Sequence, residues 1–365
     1  MKVAIVAPLV SLIREPHRGG SQAFVSDLAH GLTERGHEVH LYAASGSDVD
    51  GVQVIDTGVD HRALAETLYR ASSSGGDHGS QAATRAFADV YAAVADGGYD
   101  LVHNHAFDAP AISLAGALDA PVVHTLHLPP DTAIGDALLR AIERSSRPTV
   151  AAVSTSQANA WRAVVPVDAI LPPYVPTRSI PWRSSSGNRA IFGGRLSPEK
   201  GAAEAIDIAQ AAGIGIDVYG DSYDTQYTRR EVDPRRDKPG VIVHPGVPRT
   251  ALWEVMAGAA VVLCPTKWEE PFGMVAAEAQ ACGTPVVGFR RGALPEVIVE
   301  GVTGFLVAPG NVEAAADAVA HTTELSRSRC REHAEDRLDL ELSLDAHERL
   351  YTHVTRSSKG APTGG

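Results

Sequence analysis

The sequence predicts an α/β protein of two domains, each a parallel β-sheet covered on both faces by helices. The 365 residues are 44% apolar and 21% charged, which is enough apolar material for two cores. Short apolar runs, typical of strands buried on both faces, alternate with segments of helical periodicity. A proline- and serine-rich segment at 171–187 interrupts the alternation and predicts a linker between domains at 1–170 and 188–340.

The predicted N-terminal domain alternates strands and helices from its first residues. Strands are expected at 3–7, 38–43, 52–55, 101–103, 122–124 and 151–154. Helices are expected at 24–35 and 85–95. Loops are expected at 14–21 and 72–80, and the second is predicted to be flexible because it consists largely of serine and glycine.

The predicted C-terminal domain repeats the same alternation. Strands are expected at 190–193, 216–219, 241–243, 259–263, 286–288 and 304–307, and helices at 202–212, 250–256 and 274–281. A C-terminal helix at 341–356 is expected to pack back on the N-terminal domain, and residues 357–365 are expected to be disordered. We therefore expect two Rossmann-like, doubly wound domains that face a cleft, with ligands at the carboxyl ends of the strands.

Composition excludes several classes of partner. The net charge of −12 argues against binding to nucleic acid, and no apolar run approaches the length of a membrane span. The N-terminus resembles a short signal-peptide core, but Pro8 interrupts it and charged residues follow at 14–18. Three cysteines are too few for a disulfide framework or a zinc site. The sequence thus predicts a cytoplasmic protein that binds small molecules.

The most informative stretch is 264–285, which runs from a strand end through a polar loop into a helix. A helix start offers free N–H groups and a positive dipole end, so it suits an anionic ligand. Glu270 precedes the predicted helix and Glu278 lies within it, with seven residues between them. The spacing alone leaves open whether Glu278 is a surface residue or a buried carboxylate that needs hydroxyl partners.

A second stretch, 193–201, places Arg195 and Lys200 beside another helix start. Cations there are unfavourable for the helix dipole unless they hold an anion, and a pyrophosphate fits a guanidinium and an ammonium together. The alternative is two solvated surface cations. Gly19 and Gly20 follow the first strand and either form a tight turn or let the backbone approach a phosphate.

Four histidines, His103, His105, His124 and His127, follow two predicted strands. Their spacing matches no standard metal-ligand pattern, so we predict no metal site. One of them is expected to contact a sugar or an acceptor hydroxyl, and the others are expected to be structural. No nucleophile motif and no Gly-x-Gly-x-x-Gly fingerprint is present, which disfavours an NAD-dependent enzyme.

Taken together, these motifs resemble the retaining glycosyltransferases of the GT-B fold, family four. The matching segments in chain order are Gly19-Gly20, Val123-His124-Thr125-Leu126-His127, Gly194 to Gly201, Glu270-Pro271-Phe272-Gly273 through Glu278, and Gly301-Val302-Thr303-Gly304-Phe305-Leu306-Val307. The resemblance spans residues 3–308. Its specificity lies in the order and spacing of the segments.

The resemblance implies a role for each matching residue. Arg195 and Lys200 would neutralise the diphosphate of a nucleotide-sugar donor in place of a metal, and Glu270 would accept hydrogen bonds from the transferred sugar. Glu278 would bind the ribose, and His127 would face the sugar and the acceptor. The remaining donor contacts would come from Phe272, Gly273 and Met274, from the base-binding backbone at Val247, Pro248 and Arg249, and from Gly19 and Gly20 in the other domain.

The implied activity is that of a hexosyltransferase. It would transfer a sugar, most commonly from a UDP-sugar in this family, to a hydroxyl by metal-independent same-face transfer without a cofactor. Residues 1–170 hold 11 Lys+Arg and 19 Asp+Glu, a balance of −8, which favours a soluble or cationic acceptor such as an aminocyclitol, as in antibiotic biosynthesis. Two alternatives stay open: a nucleotide-sugar epimerase on the same scaffold, and a non-catalytic nucleotide-sugar-binding protein.

Overall fold

The computed structural model describes residues 1–17, 19–64, 78–143 and 148–359. Within these ranges the chain divides into two compact units. The unit called here the N-terminal unit comprises 1–17, 21–172 and the chain from 343 onwards. The C-terminal unit comprises 173–342 and counts Gly19 and Gly20 with it. No helix in the described ranges has the length and apolarity to cross a bilayer.

The N-terminal unit is built on one sheet of parallel strands. These are β1 (Lys2–Val6), β2 (Glu38–Ala43), β3 (Gln53–Asp56), β4 (Leu101–Asn104), β5 (Val122–Leu126), β6 (Thr149–Ala152) and β7 (Ala169–Ile170). Their order across the sheet is β3-β2-β1-β4-β5-β6-β7. The direction of winding therefore reverses between β1 and β4, which is where doubly wound sheets bind ligands.

Helices connect these strands, and residues 61–64, next to a gap in the described ranges, are also helical. The connecting helices are α1 (Gly20–Glu34), α2 (His78–Ala95), α3 (Ala109–Ala115), α4 (Thr132–Ile142) and α5 (Thr155–Arg162). The apolar stripe of α1, which includes Phe24, Leu28 and Leu32, is fully buried, because its helical spacing places these side chains on one face. Asp131 and Ser154 cap α4 and α5 by accepting hydrogen bonds from first-turn N–H groups.

The C-terminal unit has a second parallel sheet with the same winding. Its strands are β8 (Arg189–Gly193), β9 (Gly215–Tyr219), β10 (Val241–His244), β11 (Val261–Cys264), β12 (Val286–Phe289) and β13 (Gly304–Val307). Their order is β10-β9-β8-β11-β12-β13. Numbered within the unit this is 3-2-1-4-5-6, the order of a dinucleotide-binding fold, and it reverses between β8 and β11.

The α-helices of four or more residues in the second half are α6 (Ala202–Ala211), α7 (Arg249–Ala257), α8 (Met274–Ala281), α9 (Leu294–Val297), α10 (Val312–His321), α11 (Arg327–Arg337) and α12 (Leu340–Lys359). Two buried arginines of α11 bind the carboxyl ends of two other helices. Arg327 donates to the Ala257 carbonyl at the end of α7, and Arg331 donates to the Ala281 carbonyl at the end of α8. Their charges complement the negative ends of both helix dipoles.

From Ser343 onwards α12 belongs to the N-terminal unit. Leu344 packs so closely on Gly31 of α1 that a Cβ at residue 31 would lie 2.7 Å from Leu344 Cδ1. Arg35 forms an ion pair with Glu348 at 2.6 Å. Further along, the Tyr351 hydroxyl lies 2.6 Å from His103 Nδ1. The helix is therefore fixed both to α1 and to the sheet.

The structure confirms the α/β fold of two doubly wound sheets, whereas three predicted boundaries are wrong. Helix α1 begins at Gly20, inside the predicted loop 14–21, because Gln22 is already buried and donates to Ser11 Oγ at 2.7 Å. Helix α2 begins at His78, so residues 78–80 are not loop, and the rest of that predicted loop lies outside the described residues.

The third wrong boundary is the predicted disordered tail at 357–365. Helix α12 continues to Lys359, and two serine hydroxyls in it donate to carbonyls one turn earlier. Ser357 Oγ bonds the His353 carbonyl at 3.0 Å, and Ser358 Oγ bonds the Thr355 carbonyl at 3.0 Å. The polar composition of 357–359 therefore does not prevent this last turn from being helical. Residues 360–365 lie outside the described residues.

Candidate functional site

Two loops follow the strands at the reversal point of the C-terminal sheet, and hydrogen bonds join them. The first runs from β8 to α6, and the second runs from β11 to α8. Lys267 N donates to the Glu199 carbonyl at 2.8 Å, and Thr266 Oγ1 donates to the same oxygen at 3.1 Å. Gly201 has φ +77°, and a Cβ there would lie 2.2 Å from the Pro265 carbonyl oxygen, so only glycine fits.

The first loop carries the two predicted phosphate-binding cations, and both are partly buried in fixed contacts. Arg195 Nη2 donates to Glu199 Oε1 at 3.2 Å, and its guanidinium lies 4.5 Å from the centre of the Tyr223 ring. Lys200 Nζ lies 2.8 Å from Glu270 Oε2 and 4.9 Å from the centre of the Trp268 ring. Each side chain is 24% exposed. Neither cation is therefore fully solvated, and their role in binding phosphate stays a prediction.

Glu270 is held as a carboxylate by several donors. Lys200 Nζ contacts both of its oxygens, and Trp268 Nε1 donates to Oε2 at 2.8 Å. Thr266 Oγ1 lies 3.3 Å from Oε2, and its single hydrogen is shared between Glu270 and the Glu199 carbonyl. Burial would raise the pKa of Glu270, but the charge of Lys200 and these hydrogen bonds outweigh it and hold the pKa below its ordinary value. Glu270 is thus an acceptor of hydrogen bonds at neutral pH.

Helix α8 begins directly after this carboxylate. Gly273 precedes its first residue with φ +101°, a left-handed conformation that favours glycine. Phe272 and Met274 flank Gly273 and are buried. The first N–H groups of a helix have no carbonyl partner within it and carry the positive end of its dipole. Lys200 contacts Glu270, which lies just before this helix start. Together, the helix start and Lys200 offer hydrogen-bond donors and positive charge to an anion.

Glu278 lies one turn into α8 and is 4% exposed, which settles the open alternative in favour of a buried carboxylate. Its partner is Arg249, the first residue of α7. Arg249 Nε and Nη2 each lie 2.9 Å from Glu278 Oε1. The guanidinium also lies 4.8 Å from the centre of the Trp253 ring. Sequence reasoning missed this ion pair, since only the backbone of Arg249 was assigned a role.

Val247 and Pro248 follow β10 at the same carboxyl edge of the sheet and lead into α7. The adjoining Gly246 N–H donates to Asp221 Oδ1 at 2.9 Å, which ties the loop after β10 to the loop after β9. The predicted base-binding segment therefore borders the strand ends that carry the other predicted donor contacts.

The N-terminal unit gathers all four predicted histidines and a fifth, His347 of α12, which sequence reasoning missed. His105 Nδ1 lies 2.9 Å from His127 Nε2, and His124 Nδ1 lies 3.0 Å from the Asn104 amide nitrogen. Burial lowers the pKa of His124, His127 and His347 to about 4, and that of His103 and His105 well below the ordinary value. Each histidine is therefore neutral at pH 7.

The C-terminal unit brings together most of the predicted site residues. It holds Arg195, Lys200, Val247, Pro248, Arg249, Glu270, Phe272, Gly273, Met274 and Glu278 in loops and helices that follow the carboxyl ends of its strands. His127 follows β5 in the N-terminal unit, and Gly19 and Gly20 lie at the start of α1. Sequence reasoning missed Thr266 and Trp268, although both stand within four residues of Glu270. Within the described ranges, no three His, Cys, Asp or Glu side chains are grouped so as to hold a metal ion.

Comparison with known proteins identifies both halves of the chain. Residues 18–178 match the family described as Glycosyltransferase Family 4, and residues 181–337 match the family described as Glycosyl transferases group 1. A D-inositol 3-phosphate glycosyltransferase from Xylanimonas cellulosilytica is 26% identical over 84% of each chain.

Solved structures share the fold. A sucrose-phosphate synthase from Thermosynechococcus elongatus superposes with a TM-score of 0.78 at 18% identity, over 98% of this chain and 100% of that one. The Anabaena protein HepE, solved with UDP and glucose, gives a TM-score of 0.71 at 18% identity, over 96% of this chain and 99% of that one. With two family matches that together run from residue 18 to residue 337, this chain belongs to the glycosyltransferases of the GT-B fold and is an enzyme of that class.

Proposed function

We propose that this glycosyltransferase moves a hexosyl group from a UDP-sugar to a hydroxyl of a soluble acceptor, with retention of configuration and without a metal or other cofactor. The observation that carries the proposal is the placement of Lys200, Glu270 and Arg195 in two joined loops beside the start of α8. The structure of HepE with UDP and glucose supports a uridine donor, since the two proteins share a fold.

The charge of the leaving group explains why two cations stand here. As the bond from sugar C1 to the phosphate oxygen breaks, negative charge grows on the diphosphate. In this proposal Arg195 and Lys200 bind its oxygens together with the first N–H groups of α8. Both cations are already held in place by Glu199 and Glu270, so little reorganisation is needed when the donor binds. They supply the positive charge that a divalent ion supplies in other transferases.

The two glutamates of the stretch 264–285 take different ligands in this proposal. Glu270, kept ionised by Lys200, accepts hydrogen bonds from hydroxyls of the transferred sugar. Glu278, held by Arg249, accepts hydrogen bonds from the ribose, and the base lies against the backbone at 247–249. Gly19 and Gly20, at the start of α1, contribute to diphosphate binding, and His127 of the N-terminal unit contacts the sugar and the acceptor.

Retention is proposed from the resemblance to retaining glycosyltransferases, and the contacts of Glu270 bear on how it would be achieved. A carboxylate that already binds an ammonium, an indole N–H and a hydroxyl is a weak nucleophile, so we do not assign it a covalent intermediate. In the proposed step the C1–phosphate bond breaks and a bond from the acceptor oxygen to C1 forms on the same face. The acceptor proton passes to the departing phosphate oxygen.

The class of acceptor is proposed from the net charge of residues 1–170. The balance of −8 over residues 1–170 favours a soluble cationic molecule, such as an aminocyclitol or another secondary metabolite of antibiotic biosynthesis, over an anionic lipid. A cytoplasmic location suits such a substrate.

The proposal is tested with Lys200→Ala and the charge-conserving control Lys200→Arg. The wild type should release UDP from UDP-glucose only when an acceptor is present and should form an α-linked product, with EDTA making no difference. Lys200→Ala should lose about 100- to 1,000-fold in kcat while folding normally, and Lys200→Arg should lose less. Unchanged turnover by folded Lys200→Ala, a β-linked product, or conversion of the donor without acceptor would each contradict the proposal.

A further inference from the structure

The hydrogen bond between His105 and His127 has no role in the transfer step proposed above. His105 Nδ1 and His127 Nε2 lie 2.9 Å apart, so one of the two nitrogens carries the hydrogen that joins them. His105 is completely buried, whereas His127 keeps 7% of its surface exposed. Of the two residues, only His127 has exposed surface, so it is the one that a substrate can contact.

The surroundings of His105 decide which ring donates. His105 Nε2 is buried and has no hydrogen-bond partner among the residues that the structure describes. If His127 donated, the hydrogen of His105 would sit on this nitrogen as a buried N–H without an acceptor. If His105 donates from Nδ1, its Nε2 holds only a lone pair. Buried N–H groups without acceptors are rarer than acceptors without donors, so the second arrangement is favoured.

A doubly protonated ring is excluded for both residues. Burial and neighbouring histidines lower the pKa of His105 well below its ordinary value, and burial together with His347 lowers the pKa of His127 to about 4. With His105 Nδ1–H as the donor, His127 Nε2 accepts, and the single hydrogen of the neutral His127 ring lies on Nδ1. His127 therefore presents an N–H to its ligand.

The ring of His105 is itself held in place. It packs against His103 with 4.0 Å between ring centroids and against Phe24 with 6.2 Å. Both nitrogens of His103 are occupied, by Thr125 Oγ1 at 2.7 Å and the Tyr351 hydroxyl at 2.6 Å. The contacts reach from β5 to α12, so His105 cannot rotate without disturbing the sheet and the last helix.

We propose that His105 is a positioning residue that fixes His127 as its neutral Nδ1–H tautomer, so that His127 donates a hydrogen bond to a substrate oxygen. The donation to substrate rests on the proposed function, whereas the tautomer does not. A histidine that donates from its free nitrogen cannot remove a proton from the acceptor, which agrees with assigning that task to the donor phosphate. His127 then serves to orient an oxygen of the sugar or acceptor.

The tautomer is measured directly by long-range ¹H–¹⁵N NMR on protein labelled at histidine, at pH 7.5 and without substrate. A His127→Asn sample assigns the signals. The expected result is Nδ1–H for both His105 and His127. A His127 ring protonated at Nε2, or at both nitrogens, overturns the proposal. This measurement needs no turnover, so its failure is distinct from failure of the proposed transferase activity.

The role of His105 is tested by a pair of variants. The Asn amide of His105→Asn can donate from the place of Nδ1, whereas Leu in His105→Leu cannot. His105→Leu should lower kcat about tenfold with an unchanged KM for the donor, and the His127 signals should become a mixture of tautomers. His105→Asn should keep most of the activity and a single Nδ1–H signal. Equal losses in both variants, or unchanged His127 signals in His105→Leu, overturn the proposal; if His105→Leu does not fold, the His127 spectrum of His105→Asn decides.

Discussion

The Arg249–Glu278 ion pair shows how one side chain makes another usable. Glu278 is nearly inaccessible, and a buried carboxylate without a cation would be costly or would take up a proton. Arg249 approaches it with two nitrogens at 2.9 Å and is itself packed on Trp253. The pair therefore keeps an ionised acceptor inside the C-terminal unit, where the proposed ribose contact requires one.

Replacing Arg249 with Ala should destabilise the protein and weaken UDP binding together. The variant leaves the Glu278 charge buried without this guanidinium, which costs about 3 to 5 kcal/mol in comparable cases. The double variant Arg249→Met with Glu278→Leu should recover much of the free energy of unfolding but not the affinity for UDP. Urea unfolding and calorimetric titration measure both quantities. Wild-type stability in Arg249→Ala would show that the pair is not needed.

Residue types and spacing marked Arg195 and Lys200 as candidates for binding an anion, whereas Glu270 and Glu278 received ligand roles only from the resemblance to the GT-B glycosyltransferases. All four roles stay predictions. Contacts between residues that are far apart in the chain could not be predicted from the sequence. Arg249 and Glu278 are 29 residues apart on different helices, and His105 and His127 are 22 residues apart on different strand ends. Only the folded sheets bring such pairs together, and no local pattern marks them.

At the scale of elements, the start of α8 depends on one glycine. Gly273 has φ +101°, and a Cβ there would lie 2.7 Å from Leu294 Cδ2. Gly301 also has a positive φ, +70°, but a Cβ there would meet no atom within 4 Å. A substitution by Ala at Gly301 therefore costs only backbone strain, whereas one at Gly273 costs both backbone strain and a steric clash.

Gly273→Ala should lower stability by about 2 to 4 kcal/mol and impair UDP binding, because both backbone strain and the clash displace the helix start. Gly301→Ala should lower stability by only about 1 to 2 kcal/mol and leave UDP binding unchanged. Thermal unfolding with and without UDP compares the two variants. Equal effects on UDP binding would contradict the importance assigned to the helix start.

Elements with a strong local signal were predicted to within a residue or two, and α8 and β13 match the predicted ranges. Helix ends were less predictable. Helix α1 starts early at Gly20 because Gln22 is anchored by Ser11, and α12 continues to Lys359 although its last turn is polar. These ends depend on tertiary packing and side-chain hydrogen bonds, which a periodic apolar pattern does not encode.

At the scale of the molecule, the buried histidines of the N-terminal unit couple folding to pH. Their pKa values are lowered in the folded state and return to about 6.5 on unfolding. The unfolded chain therefore binds more protons between about pH 6.5 and 4, and stability falls as the pH falls through that window. Burial raises the pKa of Asp108 to about 7, so this carboxyl makes stability rise as the pH falls. Its effect is that of one group, whereas five buried histidines act in the other direction.

We expect the free energy of unfolding to fall by on the order of 1 kcal/mol per pH unit for each buried histidine below pH 6.5. Urea unfolding at pH 7.5, 6.0 and 5.0 measures the slope, and His124→Asn should reduce it. Stability that stays constant from pH 7.5 to 5.0 would show that these rings do not remain neutral in the fold.

The proposed activity depends most on Arg195 and Lys200 binding the diphosphate of the donor. Titration of UDP and of uridine into the wild type and into an Arg195→Met, Lys200→Met double variant tests this directly, since uridine has no phosphate. We expect UDP affinity to fall at least about 100-fold in the variant while uridine affinity is unchanged. Equal UDP affinity in the two proteins, or a wild type that binds uridine as tightly as UDP, would contradict this role of the two cations.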